Sequence, residues 1–147
     1  MVTIVDPRLR VEPLDGRPGE RRLVVSYSIH VLPFDQDLGV TLLEDVTVSA
    51  SDEHDAPVLP STVEVHLHGE VEAQPGATWR ELSTDVHRAD IDVEQDWWRI
   101  NEGGGFEPIA EFLDHLVARV TLRVDDLVVA TAVSPTITGS WGALGAD

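Results

Sequence analysis

The sequence contains no cysteine and no lysine, and each absence excludes particular chemistry. Without Cys there is no disulfide framework, no thiolate zinc site, no cysteine nucleophile and no iron–sulfur cluster. Without Lys, Schiff-base catalysis and a phosphate-binding P-loop are excluded as well. All 10 basic residues are therefore Arg.

Positive charge is scarce overall, because 10 basic residues face 27 acidic ones and the formal net charge is −17. A charge of this sign and size repels phosphate backbones, so we expect no nucleic-acid partner. Long apolar runs are also missing. The longest, residues 127–130, is too short for a membrane-spanning helix, so we expect no membrane partner. Residues 1–7 lack the features of a secretory signal, which predicts a cytoplasmic protein.

The residues that are present suit a globular domain. A chain of 147 residues with 42% hydrophobic composition can bury a core of its own. The pattern predicts a single β-rich domain over residues 1–138. Residues 139–147 are rich in Gly, which predicts a flexible C-terminal tail.

Alternation of apolar and polar residues with a period of two dominates the chain and predicts strands. It is clearest in residues 23–31 and in residues 62–73. Two further apolar runs, joined by the turn-forming pair Asp125-Asp126, predict a β-hairpin over residues 118–133. We therefore predict an all-β fold, an antiparallel β-sandwich or a small barrel.

One segment changes period. Ile109, Phe112, Leu113, Leu116 and Val117 follow the spacing of a helical stripe, and Pro108 suits a first helical turn. This predicts one short helix near residues 107–117. The alternative architecture is an α+β cup, in which that helix packs across a curved sheet.

A block of acidic residues separates Arg22 from Arg80. It contains no basic residue other than histidine, and a cation, a metal or an Arg-rich partner would be attracted to it. Most of its carboxylates are interpreted as solvated loops and strand faces. The ten are Asp35, Asp37, Glu44, Asp45, Asp52, Glu53, Asp55, Glu64, Glu70 and Glu72.

Within this block, His66 and His68 share one face of a predicted strand. Two imidazoles and a carboxylate form a ligand set for zinc or iron. The candidate metal ligands are His66, His68, Glu70, Glu72 and, from another strand, His30. No other cofactor is expected.

Tryptophans supply the third group of candidates. Exposed indole rings can stack on a sugar or anchor a protein interface. Trp97 and Trp98 are neighbours, so in a strand they face opposite sides, and Trp79 lies in an earlier strand. We name Trp79, Trp97 and Trp98 as candidate ligand-binding residues.

No complete catalytic motif is found, and a nucleophile elbow is missing. The favoured hypothesis is therefore a non-catalytic β-sandwich module that acts in protein–protein interaction, through a partner or self-association, or as a structural subunit. A metal-dependent enzyme or metal-binding protein built on His66 and His68 is the second hypothesis. A small-molecule or carbohydrate binder that uses exposed Trp is the third.

Overall fold

Strands make up most of the chain in the computed structural model, which describes residues 1–50, 63–91, 98–100, 106–108, 114–139 and 141. A single short 3-10 helix, Arg88–Ile91, and no α-helix occur among them. The ten strands are β1 (Val2–Pro13), β2 (Glu20–Val31), β3 (Thr41–Ala50), β4 (Glu64–Glu72), β5 (Gly76–His87), β6 (Trp98–Ile100), β7 (Phe106–Pro108), β8 (Asp114–Val124), β9 (Leu127–Val133) and β10 (Ile137–Gly139).

The first sheet has three antiparallel strands in the order β1-β2-β5. The central strand β2 is so apolar that both of its faces are largely buried. Its odd-numbered residues, from Leu23 to Val31, face the core. The outer face of β2 is covered in part by an ion pair between Arg10 of β1 and Glu81 of β5, 3.4 Å apart. That pair bridges the two outer strands beside Val24 and Ser26, because Arg10 pairs with Val24 and Glu81 pairs with Ser26; both β2 residues are buried.

The second sheet has the order β4-β3-β8, and both β9 and β10 pair with the remaining side of β8. β8 and β9 form the predicted hairpin, and its turn is Asp125-Asp126. Asp125 has a φ of 52°, a conformation that Asp adopts more readily than most residues. The predicted hairpin is therefore confirmed.

The two sheets enclose one hydrophobic core, to which both contribute fully buried aliphatic side chains. Leu23, Val25 and Ile29 come from the first sheet, and Leu42, Val46 and Leu122 are examples from the second. In the described part of the chain the two sheets share no strand pairing and do not close into a barrel. The fold is the antiparallel β-sandwich that the alternation predicted, and the residues that the structure describes form neither a closed barrel nor an α+β cup.

The prediction of a helix near residues 107–117 is wrong for those of its residues that the structure describes. Glu107 and Pro108 belong to β7, and residues 114–117 begin β8. Residues 109–113 lie outside the described residues. β8 is extended because its first residues pair with β3 on one side and β10 on the other, and this pairing outweighs the helical spacing.

The end of the described chain is held to the sandwich. Trp141 packs against the core cluster. A Cβ on Gly139 would lie 2.6 Å from the indole ring, so this glycine is needed for the close approach. The tail predicted over 139–147 therefore begins with a residue of β10. Residues 140 and 142–147 lie outside the described residues. Nowhere in the described chain is there a helix long and apolar enough to cross a membrane.

Candidate functional site

Exposed apolar side chains gather at one end of the sandwich. β1, β5 and β9 begin there and β2 ends there. Of the eight large hydrophobic residues that are exposed in the described chain, seven belong to this end. We call these seven the apolar end: Met1, Val5, Leu32, Phe34, Trp79, Leu127 and Val128. The eighth, Val133, lies towards the opposite end, where β9 finishes.

Phe34 is the most exposed of the seven, at 99%. It occupies the third position of a four-residue turn that the Asp35 N–H closes by donating to the Leu32 carbonyl at 3.0 Å. Pro33 precedes it and favours this turn, because its ring fixes φ at the second position. The turn therefore holds an aromatic ring in solvent.

Trp79 is placed by strand register rather than by a turn. It faces outward on β5 and pairs with Ser28, which pairs in turn with Val5 on β1. Because Ser28 is small, it does not screen the indole, and Trp79 is 60% exposed. Trp79 and Val5 therefore form one outward row across the first sheet.

A hollow of about 400 Å³ opens beside that row. His30 and Thr3 are its polar side chains, and they form the next outward row with Ala77. The other lining residues are Met1, Val31, Leu32, Pro33 and Gly76. The apolar end thus combines exposed anchors with a concave, mostly apolar surface.

The border of the apolar end is acidic. The three connections at this end, residues 32–40, 73–75 and 125–126, contain four Asp and no Arg. The Asp35 side chain is buried and paired with the N-terminal amine, so the carboxylates of the border are those of Asp37, Asp125 and Asp126. Glu72 ends β4 beside them and is exposed. Arg123 of β8 is already ion-paired, because its Nε lies 2.5 Å from Asp45 Oδ2. These carboxylates make the border of the apolar end electrostatically negative.

A second cluster is buried between the sheets. Glu44 of β3 points into the core, and its side chain has no exposed surface. The Tyr27 hydroxyl donates to Glu44 Oε2, and Arg80 Nη2 donates to Oε1 at 2.6 Å. Arg80 Nε also approaches both carboxylate oxygens, at 3.1 and 3.0 Å. Gly69 makes room for the carboxylate, since a Cβ there would lie 2.7 Å from Oε1.

This cluster stabilises particular protonation states. Burial raises the pKa of Tyr27 far above its ordinary value, and the bond to Glu44 raises it further. The bond to Glu44 likewise raises the pKa of Arg80. Arg80 Nη2 also donates to the Glu70 carbonyl at 3.3 Å. The three side chains therefore join the two sheets where β4 and β5 approach each other, and we interpret them as structural.

The predicted histidine pair lies on the outer face of the second sheet. His66 and His68 are exposed, and their rings are nearly parallel with centroids 6.4 Å apart. His68 Nδ1 lies 2.9 Å from Asp45 Oδ1. The hydrogen bond from Arg123 keeps the pKa of Asp45 below its usual value, so this carboxylate stays ionised. Glu70 and Glu72 share the same outward face.

The structure does not bring His30 to this pair. His30 belongs to β2 of the first sheet, whose outer face is on the opposite side of the sandwich. Its place in the predicted ligand set is therefore wrong. Among the residues described, no three His, Asp or Glu side chains are already arranged to hold a metal ion.

Two of the three predicted tryptophans stay untested. Trp97 lies outside the described residues, and Trp98 is the first residue of β6, where it pairs with Pro108. Trp79 is exposed as a stacking residue must be. Sequence reasoning missed Phe34, although an aromatic residue inside a polar turn, next to Pro33, was an available signal.

Comparison with known proteins identifies no family. No family model matches the chain, and no curated protein matches it. Among solved structures the chain is similar to β-glucosidase 3B from Thermotoga neapolitana in complex with glucose, with a TM-score of 0.42 and 12% identity over 95% of this chain. It is also similar to a β-glucosidase from Kluyveromyces marxianus in complex with glucose, with a TM-score of 0.40 and 13% identity over 93%. The chain spans 16% and 14% of those proteins.

Proposed function

We propose that this chain is a non-catalytic β-sandwich module that binds a protein partner through its apolar end. One observation carries the proposal: seven of the eight exposed large hydrophobic residues in the described chain lie at that end. Single exposed apolar residues are ordinary on a protein surface, whereas a group that includes Trp and Phe is typical of interaction sites.

The partner is a basic protein segment that presents an apolar side chain. The hollow accepts the apolar side chain, because most of its lining is apolar. The acidic connections attract the flanking basic residues through Asp37, Asp125 and Asp126, since these connections contain no Arg. A second copy of this chain is a poorer partner, because each copy carries a charge of −17.

Selection from a random peptide library displayed on phage tests the proposal. The protein is immobilised, and enriched clones are compared on the wild type and on a double variant, Phe34→Ser with Trp79→Ser. Both side chains are exposed, so the double variant keeps its core. We expect enriched peptides to combine Arg or Lys with an aromatic or aliphatic residue. We expect at least tenfold weaker binding to the double variant, and binding that weakens with salt.

Val133→Ser is the matched control. Val133 is 48% exposed, close to the 53% of Val128, but it lies away from the apolar end. Peptides should bind this control as they bind the wild type. The proposal is wrong if no peptide is enriched, if enriched peptides are neutral or acidic, or if they bind the Phe34/Trp79 variant undiminished. Quenching of tryptophan fluorescence by simple sugars in the wild type but not in the Phe34/Trp79 variant, with no peptide bound, would instead favour the carbohydrate hypothesis.

A further inference from the structure

We infer that His66 and His68 form a surface binding site for a borderline divalent transition ion such as Zn²⁺ or Ni²⁺. The site is separate from the apolar end and does not depend on the function proposed above. It uses two imidazoles on one strand, with Glu64 as the third protein ligand and water in the remaining positions. Imidazole nitrogen suits these ions better than it suits Mg²⁺ or Ca²⁺.

Strand geometry places the two rings within reach of one ion. Residues two apart on a strand point to the same side and are separated by about 7 Å along it. The two ring planes are already almost parallel, with an interplanar angle of 6° and centroids 6.4 Å apart. Two nitrogens bound to one ion at about 2.1 Å are at most about 4 Å apart. One ring must therefore tilt towards the other, and both side chains are exposed enough to do so.

The nitrogen that would bind the ion is available on His68. A carboxylate only accepts hydrogen bonds, so the 2.9 Å contact with Asp45 places a proton on His68 Nδ1. In the neutral ring Nε2 then carries the lone pair. Asp45 is itself held by Arg123, 2.5 Å away. A carboxylate that orients a histidine in this way is typical of metal-ligating histidines.

The neighbours of His66 are also compatible with a ring that carries its proton on Nδ1 and its lone pair on Nε2. Its Nδ1 lies 3.3 Å from the Thr47 hydroxyl, which can either donate or accept. Its Nε2 lies 3.1 Å from Glu64 Oε1. For an ion to bind Nε2, the neutral ring takes its other tautomer: the proton leaves Nε2 for solvent and Nδ1 takes one up from solvent, so the net proton count of the ring is unchanged. The Thr47 hydroxyl then accepts a hydrogen bond from Nδ1–H. Glu64 is therefore next to the ion before any movement of the backbone.

The charge of this outer face also favours a cation. Asp45, Glu64, Glu70 and Glu72 contribute four carboxylates, and the basic groups that strand register places on the same face are Arg119 and Arg123. Carboxylates therefore outnumber guanidinium groups by two. An incoming divalent ion is attracted to such a face.

Isothermal titration calorimetry of untagged protein, freed of metal with a chelator, tests this site. We expect one Zn²⁺ or one Ni²⁺ per chain and no heat of binding with Mg²⁺. His66→Ala and His68→Ala should each weaken binding at least tenfold. Glu64→Gln should weaken it several-fold. His30→Ala is the matched control, because His30 is also an exposed strand histidine but lies on the other sheet.

The imidazole nitrogen resonances, followed by NMR during the titration, identify the ligands directly. Shifts of the His66 and His68 resonances at stoichiometric ion, with His30 unchanged, are the expected result. Three results would overturn the inference: no saturable binding of Zn²⁺ or Ni²⁺, unchanged affinity in either single variant, or an equal loss in His30→Ala. All four substitutions replace exposed side chains, so a thermal melt of each variant should resemble that of the wild type.

Discussion

Glu44 is a carboxylate that the sandwich core accepts because three donor groups surround it. Its partners, Tyr27 and Arg80, both belong to the first sheet and pair with each other across β2 and β5. An isolated buried carboxylate would be strongly destabilising, whereas a paired and fully hydrogen-bonded one is tolerated. The cluster therefore links the two sheets by hydrogen bonds, from Glu44 of β3 to Tyr27 of β2 and Arg80 of β5.

We expect Glu44→Gln to destabilise the fold by about 2–3 kcal/mol. The substitution leaves Arg80 without its counter-ion, and breaking a buried pair costs about 3–5 kcal/mol. We expect a smaller cost than that general range because the Arg80 side chain is a quarter exposed and water partly screens its charge. Tyr27→Phe should cost about 1–2 kcal/mol, the loss of one donor to a buried charge. Denaturant unfolding of both variants measures these values.

A double-mutant cycle separates this account from simple packing. Glu44→Gln combined with Arg80→Met removes both charges, so its cost should be clearly smaller than the sum of the two single costs. Additive costs would mean that Glu44 and Arg80 do not stabilise each other. Wild-type stability in Glu44→Gln would contradict the structural role of the cluster altogether.

At the scale of elements, β8 shows how pairing outweighs local pattern. Leu116 and Val117 both belong to the helical stripe in the sequence, but in the strand they face opposite sides. Leu116 is fully buried, and Val117 pairs with Ser49 on the outward side. β8 is bordered by β3, β9 and β10, so its extended form satisfies backbone groups on both of its edges.

Substitutions at the adjacent residues Leu116 and Val117 distinguish a strand from a helix in this segment. We expect Leu116→Ala to cost about 2–4 kcal/mol, the range for truncating a buried leucine. Val117→Thr should cost less than about 1 kcal/mol, because it keeps a β-branched side chain on a partly exposed face. Chemical denaturation followed by circular dichroism measures both. Similar large losses at both positions would be the signature of the helix instead.

β4 illustrates an element that the sequence describes almost completely. Its alternation gives an ionisable face, with His66 and His68, and an apolar face that contains Leu67. Strand period alone assigns those faces, so the histidine pair could be predicted. The partners Asp45 and Thr47 could not, because they come from β3 and the register of the two strands decides which residues meet.

For the whole molecule, a net charge of −17 is the dominant electrostatic property. Each Arg carries one positive charge and so offsets one carboxylate. Several exposed ion pairs are present, such as Arg22 with Asp85 at 2.8 Å. Pairs of this type contribute little to stability in water. The remaining carboxylates repel each other and oppose the compact state.

We therefore expect salt to stabilise the protein. Raising sodium chloride from low to molar ionic strength, where the screening length falls to about 3 Å, should reduce this repulsion. The melting temperature should rise by about 3–6 °C, the shift that about 1–2 kcal/mol produces in a domain of this size. Calorimetry at several salt concentrations measures it.

A charge-reduced variant is the control for the salt effect. Asp125→Asn with Asp126→Asn removes two carboxylates from an exposed turn, and Asn tolerates the positive φ of residue 125. Its melting temperature should be higher at low salt and should rise less with added salt. A melting temperature that falls with salt would mean that the exposed ion pairs outweigh the repulsion.

The sequence by itself determined the all-β class, the hairpin, the two faces of β4 and the net charge, because each depends on residue identity or on a period of two within one segment. Tertiary structure alone decided the rest. It placed His30 on the opposite side from His66, buried Glu44 against Tyr27 and Arg80, and gathered Phe34, Trp79 and Leu127 at one end. These relations join residues far apart in the chain. They depend on strand order and register, which the pairing of whole strands sets and no local pattern encodes.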